Sequence, residues 1–130
     1  LWGVEINEAA AQEISVGKVI RGSFLNTKIT PVCDLTLTKG VLIHIPQENL
    51  PRAYNVLYKQ SKKYILIAEY YAPHPTMIPY RGKDNLLWKR DFCGEMMDAF
   101  PDLKLVDYGF VYHKDPNPQD DLNYFLMEKP

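Results

Sequence analysis

The stretch Tyr64-Ile-Leu-Ile-Ala-Glu-Tyr-Tyr71 constrains the fold more than any other, because it is continuously apolar until Glu69. A strand without polar alternation buries both faces, and its usual cover is helices on either side of a mainly parallel sheet. The flanking segments agree. Before it, Leu50, Tyr54, Leu57 and Tyr58 recur at helical spacing behind Pro46 and Pro51, and proline suits a first helical turn. After it, Ala72 to Arg90 forms a loop holding Pro73, Pro75 and Pro79, well beyond the usual length of about 4–6 residues. A helix from Asp91 to Phe100 then carries Phe92, Met96, Met97 and Phe100 on one side and stops at Pro101.

The same alternation runs through the N-terminal third. Leu1 to Ile6 reads as a strand covered on both faces, and Asn7 caps a helix from Glu8 to Ile14 that ends before Gly17. Lys18 to Arg21 is a short strand closed by Gly22-Ser23. A polar loop from Asn26 to Thr30 leads to a β-branched strand from Val32 to Thr38, which breaks at Lys39-Gly40. At the other end, Leu103 to Tyr112 and Leu122 to Glu128 are joined only by the polar turn-forming stretch His113 to Asp121, so they form an antiparallel hairpin. The expected fold class is α/β, a mainly parallel sheet ending in an antiparallel pair. With 130 residues, 46% of them hydrophobic, the chain forms one domain, residues 1–130.

Composition excludes several function classes. Charged residues nearly cancel to a net charge of -1, so no basic field draws nucleic acid or an acidic membrane. No run reaches the roughly 18–20 apolar residues of a membrane helix, and no basic segment precedes a hydrophobic signal core; a cytoplasmic location is the expectation. Cys33 and Cys93 sit in apolar contexts and read as buried free thiols. His44, His74 and His113 lie far apart without a ligand-spaced partner, so no metal site is expected.

Ligands of parallel α/β sheets bind beyond the carboxyl ends of the strands. At the first such end stands Glu5, followed by Ile6; a carboxylate there accepts hydrogen bonds from ribose hydroxyls, or else caps the next helix. The second end offers Gly22, Ser23 and Phe24, where backbone can approach a ligand and an aromatic ring can meet a base. The third offers Lys39 and Gly40, then His44, a base by its ordinary chemistry or a hydrogen-bonded structural residue. The fourth offers Glu69, Tyr70 and Tyr71, suited to orienting or deprotonating an acceptor. The long loop adds Tyr80, Arg81, Lys89 and Arg90 around Trp88, a set that suits an anionic substrate; the alternative is a solvated basic loop in which Arg90 and Asp91 pair with each other.

An acid at one strand end, Gly-Ser after the next, "DLTLTKGVLIHI" over the third and a terminal hairpin resemble the class I S-adenosylmethionine-dependent methyltransferases. More narrowly, "TKGVLIHIP", "ILIAEYY", "IPYRGKDNLLWKRDF" and "DLKLVDYGFVYHKDPNPQDDLNYFLMEK" resemble methyltransferases associated with pseudaminic acid biosynthesis. The resemblance implies a Rossmann-like sheet in the order 3-2-1-4-5-7-6 and methyl transfer from S-adenosylmethionine to a sugar or sugar-acid acceptor. It implies cofactor contacts at Glu5, Ile6, Gly22, Ser23, Phe24, Lys39 and Gly40. His44, Glu69, Tyr70 and Arg81 are catalytic candidates by position alone. The family's first strand and glycine-rich turn have no counterpart after Leu1 and are expected upstream of it; without them the sheet has a hole between the first strand here and the strand at Val32, and the alternatives are an upstream segment that fills it, a strand supplied by another chain, or the remaining strands closing up. Two other classes fit parts of the pattern: a noncatalytic assembly fragment that recruits a strand, or associates with itself, through an open sheet edge, and a nicotinamide-dependent oxidoreductase, against which the terminal hairpin counts.

Overall fold

The computed structural model describes residues 1–28 and 31–130; the expected loop from Asn26 to Thr30 lies partly outside them. Strand β1 (Trp2–Glu5) leads into helix α1 (Glu8–Glu13), whose cap is Asn7, its side chain accepting from the Ala10 amide at 3.1 Å. Strand β2 (Lys18–Arg21) returns parallel to β1, with Trp2 opposite Lys18 and Glu5 opposite Arg21. These two strands form a sheet of their own.

A second, four-stranded sheet holds the core. Strand β3 (Cys33–Lys39) pairs in parallel with β4 (Ser61–Glu69), and between them two 3-10 turns, Leu42–His44 and Gln47–Asn49, precede helix α2 (Leu50–Gln60). Pro51 lies in the first turn of α2 as its fixed φ favours. Within the long loop, two short strands, β5 (Thr76–Met77) and β6 (Trp88–Lys89), pair with each other. Helix α3 (Phe92–Ala99) follows, then β7 (Lys104–Val111) and β8 (Leu122–Glu128). The last two pair antiparallel, and β8 inserts beside β4, giving the order β3-β4-β8-β7. Set beside the β1-β2 pair, the order β3-β4-β8-β7 follows the expected order apart from the family's first strand, and β1 and β3 are not bonded to each other.

One face of the larger sheet carries the core. Ile65, Ile67 and Met127 are fully buried under Leu50, Ala53, Tyr54 and Leu57 of α2 and Phe92, Cys93 and Met96 of α3. Each such side chain withdrawn from water contributes roughly 1.5–3 kcal/mol before chain entropy is subtracted.

Two expectations need correction. Burial on both faces does not hold for β1, in which no residue is buried; in β3, Leu35 and Leu37 are likewise 42% and 55% exposed. The helices that follow β3 and β4 pack on one and the same face, and among the described residues the opposite face of β3 meets no helix. For the same reason Cys33 is only half-buried, whereas Cys93, on α3 inside the core, is buried. No helix is long and apolar enough to cross a membrane among the described residues.

Candidate active site

The carboxyl ends of β3 and β4 bound a cavity of about 310 Å³. Lys39, Gly40, Glu69 and Tyr70 line it, as sequence position suggests, together with Asp120, just before β8, and Leu122 at its start. Gly40 turns the chain out of β3 with φ +62°, a left-handed conformation natural to glycine. A Cβ there would meet nothing within 4 Å, so backbone stays open to a ligand.

Glu69 is the structural pivot of this cavity. Its Oε1 accepts from the amides of Val41 and Leu42, both at 3.1 Å, and Oε2 accepts from Ile43 at 3.4 Å. Helix-start amides have no partners within their own turn, so a buried carboxylate satisfies them and fixes the turn that follows Lys39-Gly40. Burial raises the Glu69 pKa above the ordinary carboxyl range, against the downward pull of these three donors. The carboxylate of Glu69 is thus committed to backbone.

That turn ends in His44, whose Nδ1 lies 2.7 Å from the Leu86 carbonyl. A carbonyl only accepts, so Nδ1 carries the hydrogen and, in the neutral ring, Nε2 keeps its lone pair. The His44 ring packs against Tyr80 at 5.1 Å, and the Arg81 guanidinium lies 5.2 Å over the other ring of that contact, Tyr80. Arg81 itself has φ +52° in the tight turn where Tyr80 and Lys83 exchange backbone hydrogen bonds. The loop thereby stacks a cation, a phenol and an imidazole in sequence.

Tyr70 joins the two clusters. Its pKa is raised first by burial, then by the charges of Asp120 and the neighbouring phenol of Tyr80. The phenol stays protonated and acts as a donor. The Lys89 ammonium sits 5.3 Å over its ring, within cation–π range. Asp120 escaped sequence reasoning because it stands in a turn-forming stretch; only the pairing of β8 beside β4 brings it to Tyr70.

The β1 side presents a separate group. Glu5 Oε1 accepts from the Asn7 amide at 2.7 Å, so the helix-capping role is real, while Oε2 has no partner among the described residues. Gly22, at φ +137°, donates its amide to the Glu5 carbonyl at 2.9 Å. The Ser23 hydroxyl accepts from the Leu25 amide and its carbonyl from Thr27, which holds a tight turn. Phe24 packs partly against the core and faces the space between β1 and β3. Ile6 points to solvent at 73% exposure. The structure places Glu5, Ile6, Gly22, Ser23 and Phe24 around the ends of β1 and β2, and Lys39, Gly40, Glu69 and Tyr70 around the larger sheet.

Arg90 does not pair with Asp91. Its Nε donates to Glu95 Oε1 at 2.6 Å, Tyr54 donates to Glu95 Oε2 at 2.6 Å, and Asp91 caps α3 through the Gly94 amide. This network ties the end of the long loop to α2 and α3. Among the described residues no group of three or more His, Cys, Asp or Glu side chains is placed so that it could hold a metal ion.

A scan against family models and a search of curated proteins find no match. Solved structures do match. A S-adenosylmethionine-dependent methyltransferase from Methanosarcina mazei aligns with 98% of this chain and 81% of its own, with TM-score 0.67 at 9% identity. The 1,6-didemethyltoxoflavin-N1-methyltransferase of Burkholderia thailandensis, crystallised with S-adenosylhomocysteine, aligns with 98% of this chain and 60% of its own, with TM-score 0.74 at 12% identity. A methyltransferase from Clostridium acetobutylicum aligns with 98% and 74%, with TM-score 0.67 at 9% identity. The fold is the Rossmann-like methyltransferase fold with a mixed sheet.

Proposed function

We propose that the chain is the catalytic part of a S-adenosylmethionine-dependent methyltransferase acting on a small-molecule acceptor. The observation that carries this reading is the coincidence of that fold with a cavity at the carboxyl ends of β3 and β4 to which Lys39, Glu69, Tyr70 and Asp120 contribute, bounded by an open glycine turn. Similar folds crystallised with S-adenosylmethionine or its product support the cofactor.

The residues present fit the cofactor on two counts. Glu5 keeps one carboxylate oxygen free for ribose hydroxyls, with Ile6, Gly22, Ser23 and Phe24 around it, and Gly40 leaves the backbone beside Lys39 uncovered. When bound, S-adenosylmethionine supplies a methyl group on a positively charged sulfur. The acceptor is held by this chain's own groups: Tyr70 donates a hydrogen bond, and Lys39 and Lys89 draw negative charge towards it. His44 takes the proton that the acceptor oxygen or nitrogen loses, through Nε2, while Leu86 holds the ring in place. Glu69 acts as a positioning residue, fixing the turn that carries both Gly40 and His44. Arg81 orders the loop over His44 by stacking on Tyr80.

The narrower acceptor, a sugar or sugar acid of the pseudaminic acid kind, rests on the sequence resemblance and on the cations of the long loop. A cytoplasmic setting agrees with two free cysteines. Calorimetric titration with S-adenosylmethionine tests the reading: Glu5→Ala weakens binding by at least tenfold, whereas a protein that takes up no S-adenosylmethionine at all refutes it.

A further inference from the structure

We propose that the cavity at the ends of β3 and β4 takes a zwitterionic acceptor, with a carboxylate at one end of a small ring and an ammonium group at the other, and that Asp120 selects the ammonium. This narrows the acceptor of the methyltransferase reading and rests on it. Lys39 and Asp120 both line the cavity, and among the described residues neither joins an ion pair. Glu69, the other acid in the wall, is 3% exposed and spends both oxygens on the amides of Val41, Leu42 and Ile43. One free cation and one free anion therefore face the same space.

The sheet sets how far apart these charges stand. Lys39 ends β3, Asp120 precedes β8, and β4 runs between those strands, so two strand spacings of about 4.8 Å each separate their backbones. That separation suits opposite charges at the two ends of a ring rather than on neighbouring atoms. A cavity of about 310 Å³ stands at the small end of ligand sites, which agrees with a single ring. Asp120 also acts against a purely anionic acceptor, because an ionised carboxylate only accepts hydrogen bonds and repels a second carboxylate. An ammonium group brings three donors and the opposite charge. After burial, the charge of Asp120 is the largest influence on the Tyr70 phenol, so the ammonium meets the Asp120 carboxylate beside the Tyr70 oxygen. The acceptor's own carboxylate goes to Lys39, and Ile43, Ala68 and Leu122 cover the ring.

The test titrates the whole chain with four compounds built on one ring: trans-4-aminocyclohexanecarboxylic acid, trans-4-hydroxycyclohexanecarboxylic acid, cyclohexanecarboxylic acid and cyclohexylamine. Amide chemical shifts at fixed ionic strength report binding, with Gly40 and Leu122 as markers of the cavity. The amino acid is expected to bind at least tenfold more tightly than each of the other three. Asp120→Asn should bring it down to the level of the hydroxy acid, and the comparison in the native chain decides the matter even if that variant misfolds. The proposal is overturned if the amino acid does not bind, if the hydroxy acid or the plain carboxylic acid binds equally well, if Asp120→Asn keeps the full preference, or if the shifts lie only outside the cavity. A separate titration with S-adenosylmethionine keeps the two readings apart. Uptake of S-adenosylmethionine without a preference for the amino acid overturns this proposal alone, whereas that preference in a protein that takes up no S-adenosylmethionine supports the charge selection and refutes methyl transfer.

Discussion

Glu69 closes the most apolar strand of the chain, and its neighbours explain why a charge is tolerated there. Three backbone amides reach it from 26 to 28 residues away in sequence. Glu69→Ala removes that acceptor and strands buried donors, so chemical denaturation should show a loss of at least about 2 kcal/mol. Because its folded pKa is raised, Glu69 favours the folded state below the unfolded carboxyl pKa and loses that contribution as pH rises through the folded value. Comparing denaturation of the native chain and Glu69→Gln across pH 4 to 8 should therefore show the native chain falling relative to the variant as pH increases; the opposite slope contradicts the assignment. His44 makes a different prediction: His44→Gln should cut kcat by roughly 10²–10⁴ with little change in acceptor KM, if Nε2 is the base. Cysteine chemistry is equally specific. Burial pushes the Cys93 thiol up to about 12, so a thiol reagent applied to native protein should modify Cys33 and spare Cys93, and both only after unfolding.

Elements were legible to different degrees. The Asn7 cap, the Pro51 helix start, β2 and the hairpin of β7 and β8 depend on residues within a few positions of one another, and those are readable along the chain. The long loop was legible as irregular and functional, but its β5-β6 pair and its anchoring were not, since Leu86 binds a histidine 42 residues away. The same holds for Glu95, which receives Tyr54 and Arg90 together. Removing it by Glu95→Ala leaves a largely buried guanidinium and a buried phenol without their acceptor, and should cost about 2–3 kcal/mol. Tyr54→Phe, which removes one donor but keeps the ring in the core, should cost nearer 1 kcal/mol in the same thermal or denaturant measurement.

At the scale of the molecule, the division into two sheets sets the distribution of stability. The β1-α1-β2 unit buries Ala11 alone, whereas β4 and β8 contribute Ile65, Ile67 and Met127 to the main core. Hydrogen exchange should therefore open β1 and β2 well before β4 and β8; uniform exchange across both sheets would mean that they unfold as one. What the sequence by itself determined is everything set by local periodicity and turn chemistry: strands, helices, the parallel-to-antiparallel change and the strand ends where chemistry could sit. Tertiary structure decided which of those ends converge, that Glu69 serves backbone rather than substrate, that Asp120 meets Tyr70, and that β1 and β3 lie in separate sheets. The reason is physical: a helix or turn is encoded by neighbours along the chain, whereas the partner of a buried carboxylate is set by contacts that only the packed fold brings together.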